Sequence, residues 1–276
     1  ITDPESGCFH KGEKEKCFAY THQVFCDKNG FVLAKTTTPG NVHDSVAFFE
    51  AYNTLNKKFK DQIKNVCLDA GYVNPAICRE IILNGHTPLM PYKRPMTSKD
   101  FFKKYEYAYD EYYDCYICPN NEVLSYSTTD KNGYKQYKSN PDKCANCPLR
   151  DRCTKSKNHQ KLVTRHIWEE YKEQANENRY TQSWKDNYPK RKETIERVFG
   201  DCKEQHNLRF TRVRGLLKNG QNATLIFACH NLKKMANWRW KKSSNKPLTI
   251  SFFLKISKLF KKRGIFFFEH TSLSTT

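Results

Sequence analysis

Three carboxylates stand out by position. Asp69 ends a short apolar run, Asn65-Val66-Cys67-Leu68, and Ala70-Gly71-Tyr72 follows it. Asp3 closes what reads as the end of a first strand, Ile1-Thr2. Glu196 lies in the run 192–206, where Ile195, Val198, Phe199 and Cys202 recur at helical spacing. A carboxylate at the end of a buried strand is unfavourable unless it is paired or bound to metal. Two strand-end acids and one helical acid can hold two Mg²⁺ ions about 3.5–4 Å apart, which clamp the attacking and leaving oxygens of a phosphodiester. At about 100° per residue, Glu196 and Lys203 fall on the flank of the apolar face, and Glu193 falls toward solvent. Placement alone equally allows Asp69 to cap a turn before Gly71. Asp27 competes as the first acid, but Asp27-Lys28-Asn29-Gly30 explains it as a turn residue.

A second constellation is made of cysteines: Cys115 and Cys118, then Cys144 and Cys147, then Cys153. Two C-x2-C pairs resemble a zinc ribbon, in which thiolates close a tetrahedral site. The fifth cysteine leaves the choice of four open, and unliganded thiols are the alternative. No His or carboxylate shares the spacing, which argues against catalytic zinc. Lys203, Arg209, Arg212 and Arg214, ahead of Gly215, form a basic run after Glu196. Beside a phosphodiester site such a run contacts the DNA backbone; a solvated charged face is the plainer reading of any one of them.

The elements that must position these residues are legible in part. Residues 17–26 read as a strand, Asn29-Gly30 as a hairpin turn, and Phe31–Thr38 as the returning strand. Asp44 is the expected N-cap of a helix from Ser45 to about Leu55. Residues 65–69 read as a buried strand, and Pro75–Leu83 as a helix with Pro at its first position. From 91 to 160 periodicity is lost among Tyr, Lys, Asn and Cys, which predicts an inserted module. Helical pattern returns from about Trp168, and a last helix is expected over Asn222–Trp240. The division is therefore 1–90 and 161–240 as one α/β core, 91–160 as an insertion, and 241–276 as a basic and apolar tail without assigned function.

Of the 276 residues 38% are hydrophobic, enough for one sizeable core and a smaller module. Lys and Arg number 48 against 29 acids, a net charge of +19 spread along the whole chain. A surface that cationic calls for a polyanion. No signal peptide opens the chain and no apolar run of about 18 residues occurs, which argues against secretion and a membrane span. Twelve cysteines then fit a reducing cytoplasm. The first residue is Ile, so the sequence reads as a fragment that lacks its start.

Taken together, these motifs resemble a family. Asp3, the hairpin, Thr38-Pro39-Gly40-Asn41-Val42-His43-Asp44, Asp69-Ala70-Gly71-Tyr72, and Glu193-Thr194-Ile195-Glu196-Arg197-Val198-Phe199-Gly200 with Lys203 resemble the DDE transposases of bacterial insertion sequences. The branch with a cysteine-bearing insertion before the glutamate is the most similar, over about residues 1–240. The resemblance implies a ribonuclease-H-like mixed sheet flanked by helices. It makes Asp3, Asp69 and Glu196 the carboxylate triad for two Mg²⁺ or Mn²⁺ ions. It also implies DNA as partner (element ends and target), a homodimer in the active complex, and a bacterial cytoplasmic, nucleoid-associated protein. Tyr188 and Arg191 stand one residue farther from Glu196 than the tyrosine and arginine of related families, and Lys192 takes the arginine's offset. A plain nuclease of the same fold and a non-catalytic zinc-ribbon nucleic-acid-binding protein are the rival functions.

Overall fold

The computed structural model describes residues 3–11, 15–94 and 96–242. The expected strand end at Ile1-Thr2 and the tail beyond Lys242 lie outside these residues.

Strands β1 (Gly7–Lys11), β2 (Glu15–Cys26) and β3 (Val32–Pro39) form an antiparallel sheet in that order. The β2–β3 turn follows from its residue types. The Asp27 carboxylate accepts from the backbone N–H of Asn29 at 2.9 Å and of Phe31 at 2.8 Å, and Gly30 takes the left-handed φ of 78° the turn needs. Helix α1 (Asp44–Phe59) buries Ala47, Phe48, Ala51, Tyr52 and Leu55 against one face of that sheet. His43, not Asp44, caps it: the ring accepts from the Ser45 N–H at 3.2 Å. Asp44 is freed to accept from Gln23 Nε2 at 2.8 Å.

Strand β4 (Asn65–Cys67) runs parallel to β5 (Thr87–Leu89) through helix α2 (Pro75–Leu83), which Asn74 caps from the Ala76 N–H at 2.9 Å. That right-sized crossover is the βαβ unit expected of an α/β core. Ile77, Cys78 and Ile81 of α2 join Phe48 and Tyr52 in the main core.

Residues 108–166 form a second sheet. Strands β6 (Ala108–Asp110), β7 (Cys115–Ile117), β8 (Val123–Thr129) and β9 (Tyr134–Ser139) are followed by short helices α3 (Pro141–Ala145) and α4 (Arg150–Cys153) and by β10 (Leu162–His166). The five strands pair antiparallel in the order β10-β9-β8-β7-β6. Phe102, Tyr107, Tyr116, Leu124, Tyr137 and Val163 form its own core. Asp114, at φ 45°, accepts from the Tyr109 and Tyr137 phenols at 2.7 and 2.6 Å and from Lys135 at 2.9 Å.

Three helices close the molecule: α5 (Glu169–Glu177), α6 (Gln182–Gln205) and α7 (Leu216–Lys242). Helix α5 packs on α2, and its Ala175 enters the main core. Helix α7 covers the face of β2 and β3 opposite α1, where Ala223, Ile226 and Phe227 meet Val24, Cys26 and Val32, with Val198 and Cys202 of α6. The Asn231 amide fixes this docking by bonding both the N–H and the carbonyl of Val32 at 2.8 Å. The fold is a mixed α/β core with helices on both faces, consistent with the ribonuclease-H-like arrangement.

Candidate active site

A cavity of about 560 Å³ separates β2 from β4. Asp69 is on its rim. The β4 chain ends at Cys67, and Asp69 caps the 3₁₀ turn Ala70–Tyr72 by accepting from the Gly71 N–H at 2.9 Å. The turn-capping role that the sequence allowed is therefore present, and it engages one carboxylate oxygen.

Helix α6 supplies the opposite wall through Asn187, Lys190, Arg191, Thr194, Ile195 and Phe199. Arg191 is the residue the sequence reading undervalued. Its offset from Glu196 pointed to Lys192, yet Lys192 is exposed and Arg191 faces the cavity. Its guanidinium carbon lies 5.8 Å from the Tyr188 ring centroid, and Tyr188 stacks on Trp184 at 4.8 Å with planes 9° apart. Trp184 Nε1 donates to the Met90 carbonyl at 3.0 Å, which ties the stack to the end of β5. The Arg191 Nε is buried without a hydrogen-bond partner. Burial pushes the Tyr188 phenol up, Arg191 opposes this, and Asp69 adds to it. Both charges therefore act on one side chain at the cavity.

A polar chain continues from Asp69 across β2. Tyr72 donates to Gln23 Oε1 at 3.3 Å, and Gln23 donates to Asp44. Burial raises the Tyr72 phenol, and Asp44 and Asp69 raise it further, so this hydroxyl stays protonated between two acids.

Asp3 lies elsewhere. Its carboxylate accepts from Tyr20 at 3.0 Å and from the Gly215 N–H at 3.1 Å, just ahead of α7. Side chains alternate along β2. Phe25 packs on Phe48 of α1, whereas His22 meets Phe227 of α7, and Tyr20 shares the parity of His22. Asp3 is thus held at the entry to α7, and Asp69 lies on the cavity whose other wall is α6. The Gly215 N–H, the largest influence, outweighs burial and with Tyr20 holds the Asp3 carboxyl below its ordinary range. Glu196 is exposed on α6, next to the cavity-lining Ile195. Asp3, Asp69 and Glu196 are not brought together in this arrangement: among the described residues no three acids, histidines or cysteines are placed to hold a metal ion. The three carboxylates as they stand do not fit a Mg²⁺ pair.

Of the basic run, Lys203, Arg209, Arg212 and Arg214 are all exposed, and Arg209 is paired with Glu204. Arg214 is near enough to Asp3 to lower its carboxyl slightly.

The cysteines are free thiols. Cys115 belongs to β7, so no knuckle turn runs from Cys115 to Cys118. Burial raises the Cys115 thiol, and its charged neighbours are Asp110 and Asp114. Cys118 and Cys153 both pack on the insertion core, and Tyr107 meets the Cys153 sulfur at 3.2 Å. Burial raises Cys153, Tyr107 and Lys161 oppose this, and Cys118 and Cys144 raise it further. The Cys147 N–H donates to the Cys144 carbonyl at 3.3 Å.

Among the described residues no helix is long and apolar enough to cross a membrane. No curated protein and no solved structure matches the chain. Residues 117–236, from the end of β7 into α7 and including Glu196, match the family model described as transposase DDE domain. Over those residues the chain is similar to the DDE-type transposases.

Proposed function

We propose that this chain is the catalytic part of an insertion-sequence transposase, which cleaves phosphodiesters at the element's ends and transfers the freed strand to target DNA. Transposases of this type generally use divalent metal ions. Mg²⁺ or Mn²⁺ is the ion this reading assigns, with Asp69 and Glu196 as the carboxylates on which it relies. Asp3, the third acid of the expected triad, would have to leave Tyr20 and Gly215 to join them.

The observation that carries the reading is the placement of Asp69 and Arg191 on one cavity. An acid just past a strand end shares the cavity with a half-buried arginine whose buried Nε–H is an unused donor. Arginine presents planar paired donors to a phosphate, and an unpaired buried donor gains most from meeting one. Lys190 adds a second positive charge on the same wall. The net charge of +19 supplies attraction for DNA of any sequence.

Within the same reading the active complex is a homodimer bridging two element ends. Structural zinc would draw on Cys115, Cys118, Cys144, Cys147 and Cys153, of which Cys115, in β7, suits a knuckle least, and the thiols would have to close together to hold it. The deciding experiment is metal-dependent cleavage of element-end DNA by an active form of the protein, compared with Asp69→Asn, Glu196→Gln and Arg191→Ala. A strand-transfer assay on the same preparations separates a transposase from a nuclease that only hydrolyses.

A further inference from the structure

The cations around the second sheet are unevenly distributed. Two segments meet beside its core: 99–104, which leads into it, and 150–161, which carries α4 and the approach to β10. The Phe102 N–H joins them by donating to the Arg152 carbonyl at 2.8 Å. Lys and Arg number three in the first segment and five in the second, against two acids, Asp100 and Asp151. Asp151 is with Arg150, and Lys104 is paired with Glu169. Glu106, just beyond the first segment, accepts from the backbone N–H of Lys103 at 2.7 Å.

Four further cations are seated on aromatic rings in place of acids. Arg152 lies 4.7 Å from the Phe102 ring centroid, Lys155 5.2 Å from Phe101, Lys161 5.3 Å from Tyr107 and Lys103 5.9 Å from Tyr105. Among the described residues none of these four is in an ion pair. A ring attracts a cation without neutralising it. It also restrains a long side chain that would otherwise lose its freedom on binding. Arg152, Lys155 and the neighbouring Lys157 are exposed. Like charges gathered in this way weaken a fold unless an anion meets them. Seated over four different rings, they are spread across a surface, which suits an extended polyanion more than one small anion.

The sheet is polarised along β9. The basic cluster adjoins the end of β9, where the Lys161 N–H donates to Ser139 Oγ at 2.8 Å and Lys161 Nζ to the Cys153 carbonyl at 2.9 Å. Toward the start of β9 the charge reverses. Asp114 holds Lys135 there, and Asp110 and Glu111 precede it in the same turn as the exposed Tyr112 and Tyr113. A polyanion is drawn to the first end and repelled from the second.

We propose that this basic end of the second sheet is a docking surface for the sugar-phosphate backbone of duplex DNA. It is separate from the Asp69 cavity, which none of these residues lines. Its contacts are to phosphates, which position a duplex without reading its sequence. The acidic turn with Tyr112 and Tyr113 faces away from the bound duplex. The inference rests on DNA as the partner proposed above, and not on cleavage at Asp69.

The test is binding, not cleavage. Duplex affinity of the full chain is titrated at several salt concentrations with a chelator present, so that no strand is cut. A variant combining Arg152→Gln, Lys155→Gln and Lys157→Gln should lower the slope of log affinity against log salt by about three. Lys155→Gln alone, on an exposed side chain, should lower it by about one. The charge-keeping set Arg152→Lys, Lys155→Arg and Lys157→Arg should retain the slope. Lys57→Gln, Lys58→Gln and Lys131→Gln together remove the same charge from exposed positions outside the cluster, and should change the slope by less than about one. Equal losses from the two three-residue Gln variants would overturn the proposal, because net charge alone would then set the affinity. So would an unchanged slope in the cluster variant and in Lys155→Gln. Absence of duplex binding by the unsubstituted chain would sink this proposal together with the DNA reading, whereas the cleavage result for Asp69→Asn bears on the cavity alone.

Discussion

Asp3 accepts a hydrogen bond from the phenol of Tyr20 at 3.0 Å, and the same carboxylate takes the N–H of Gly215 at 3.1 Å. One acid thereby joins the chain ahead of β1, the α7 face of β2 and the entry to α7. Its charge also suits the positive end of a long helix.

This arrangement gives Asp3 a signature in pH. Its folded pKa is lowered, so its contribution is present at pH values above the ordinary carboxylate range and is lost as pH falls through the lowered folded value. Asp3→Asn should therefore destabilise the protein near neutral pH and become nearly neutral in strong acid. Denaturant midpoints of both proteins across that range check it. Equal midpoints near neutrality would mean the clamp contributes nothing.

His22 titrates in the opposite chemical sense but with the same slope. Burial, helped by Lys35, holds its imidazole down to about 4 from an ordinary value of 6.5. Below about pH 6.5 the unfolded chain takes up a proton that the folded chain refuses until about pH 4. Stability should fall through that window by at most about 3 kcal/mol from this group. Burial lowers His166 and His230 too, and they add to the trend. His22→Phe keeps a ring against Phe227 and should flatten the loss between pH 7 and 5, measured by urea denaturation. An unchanged slope would assign the acid sensitivity to other groups.

The cysteines divide by position. If zinc binds at Cys118, Cys144, Cys147 and Cys153, Cys115→Ser should retain one equivalent and Cys118→Ser should lose it. Metal analysis after purification under reducing conditions measures this. Zinc lost from Cys115→Ser as well as from Cys118→Ser would restore the ribbon that the β7 strand argues against.

DNA affinity should be steep in salt and blind to sequence. Neutralising about six phosphates lowers affinity roughly a thousand-fold between about 50 and 200 mM salt. Replacing Lys203, Arg212 or Arg214 by Ala should each reduce the salt slope by about one, and Arg209→Ala by less, because Arg209 is already paired with Glu204. Titrations of element-end and scrambled duplexes at several salt concentrations decide it. A preference for the element end that survives high salt would show base readout within this chain.

Much of the core was legible because its signals are local. Asn74 and Pro75 set the start of α2, and Asp27 with Gly30 sets the β2–β3 turn. The cap of α1 was misplaced by one residue because a histidine ring did the work expected of Asp44. The second sheet left no periodic trace, since β8 and β9 are mostly Tyr, Ser, Thr and Lys and bury Tyr137 beside a single leucine, Leu124. Asp69 was readable as a strand-end acid. The place of Asp3 was not, because its partner Gly215 is 212 residues away. Arg191 was passed over because sequence offsets do not reveal which side of a 24-residue helix meets a cavity.

The central claim is that the Asp69 cavity is a phosphodiester-cleaving site. The most direct measurement is cleavage of element-end DNA, with Mg²⁺ or Mn²⁺, by an active form of the protein carrying Asp69→Asn, with DNA affinity measured on the same preparation. The side chain keeps its shape and loses its charge, so cleavage should fall by about a hundred-fold or more while affinity stays within about twofold. Cleavage at the rate of the unsubstituted protein would contradict the account.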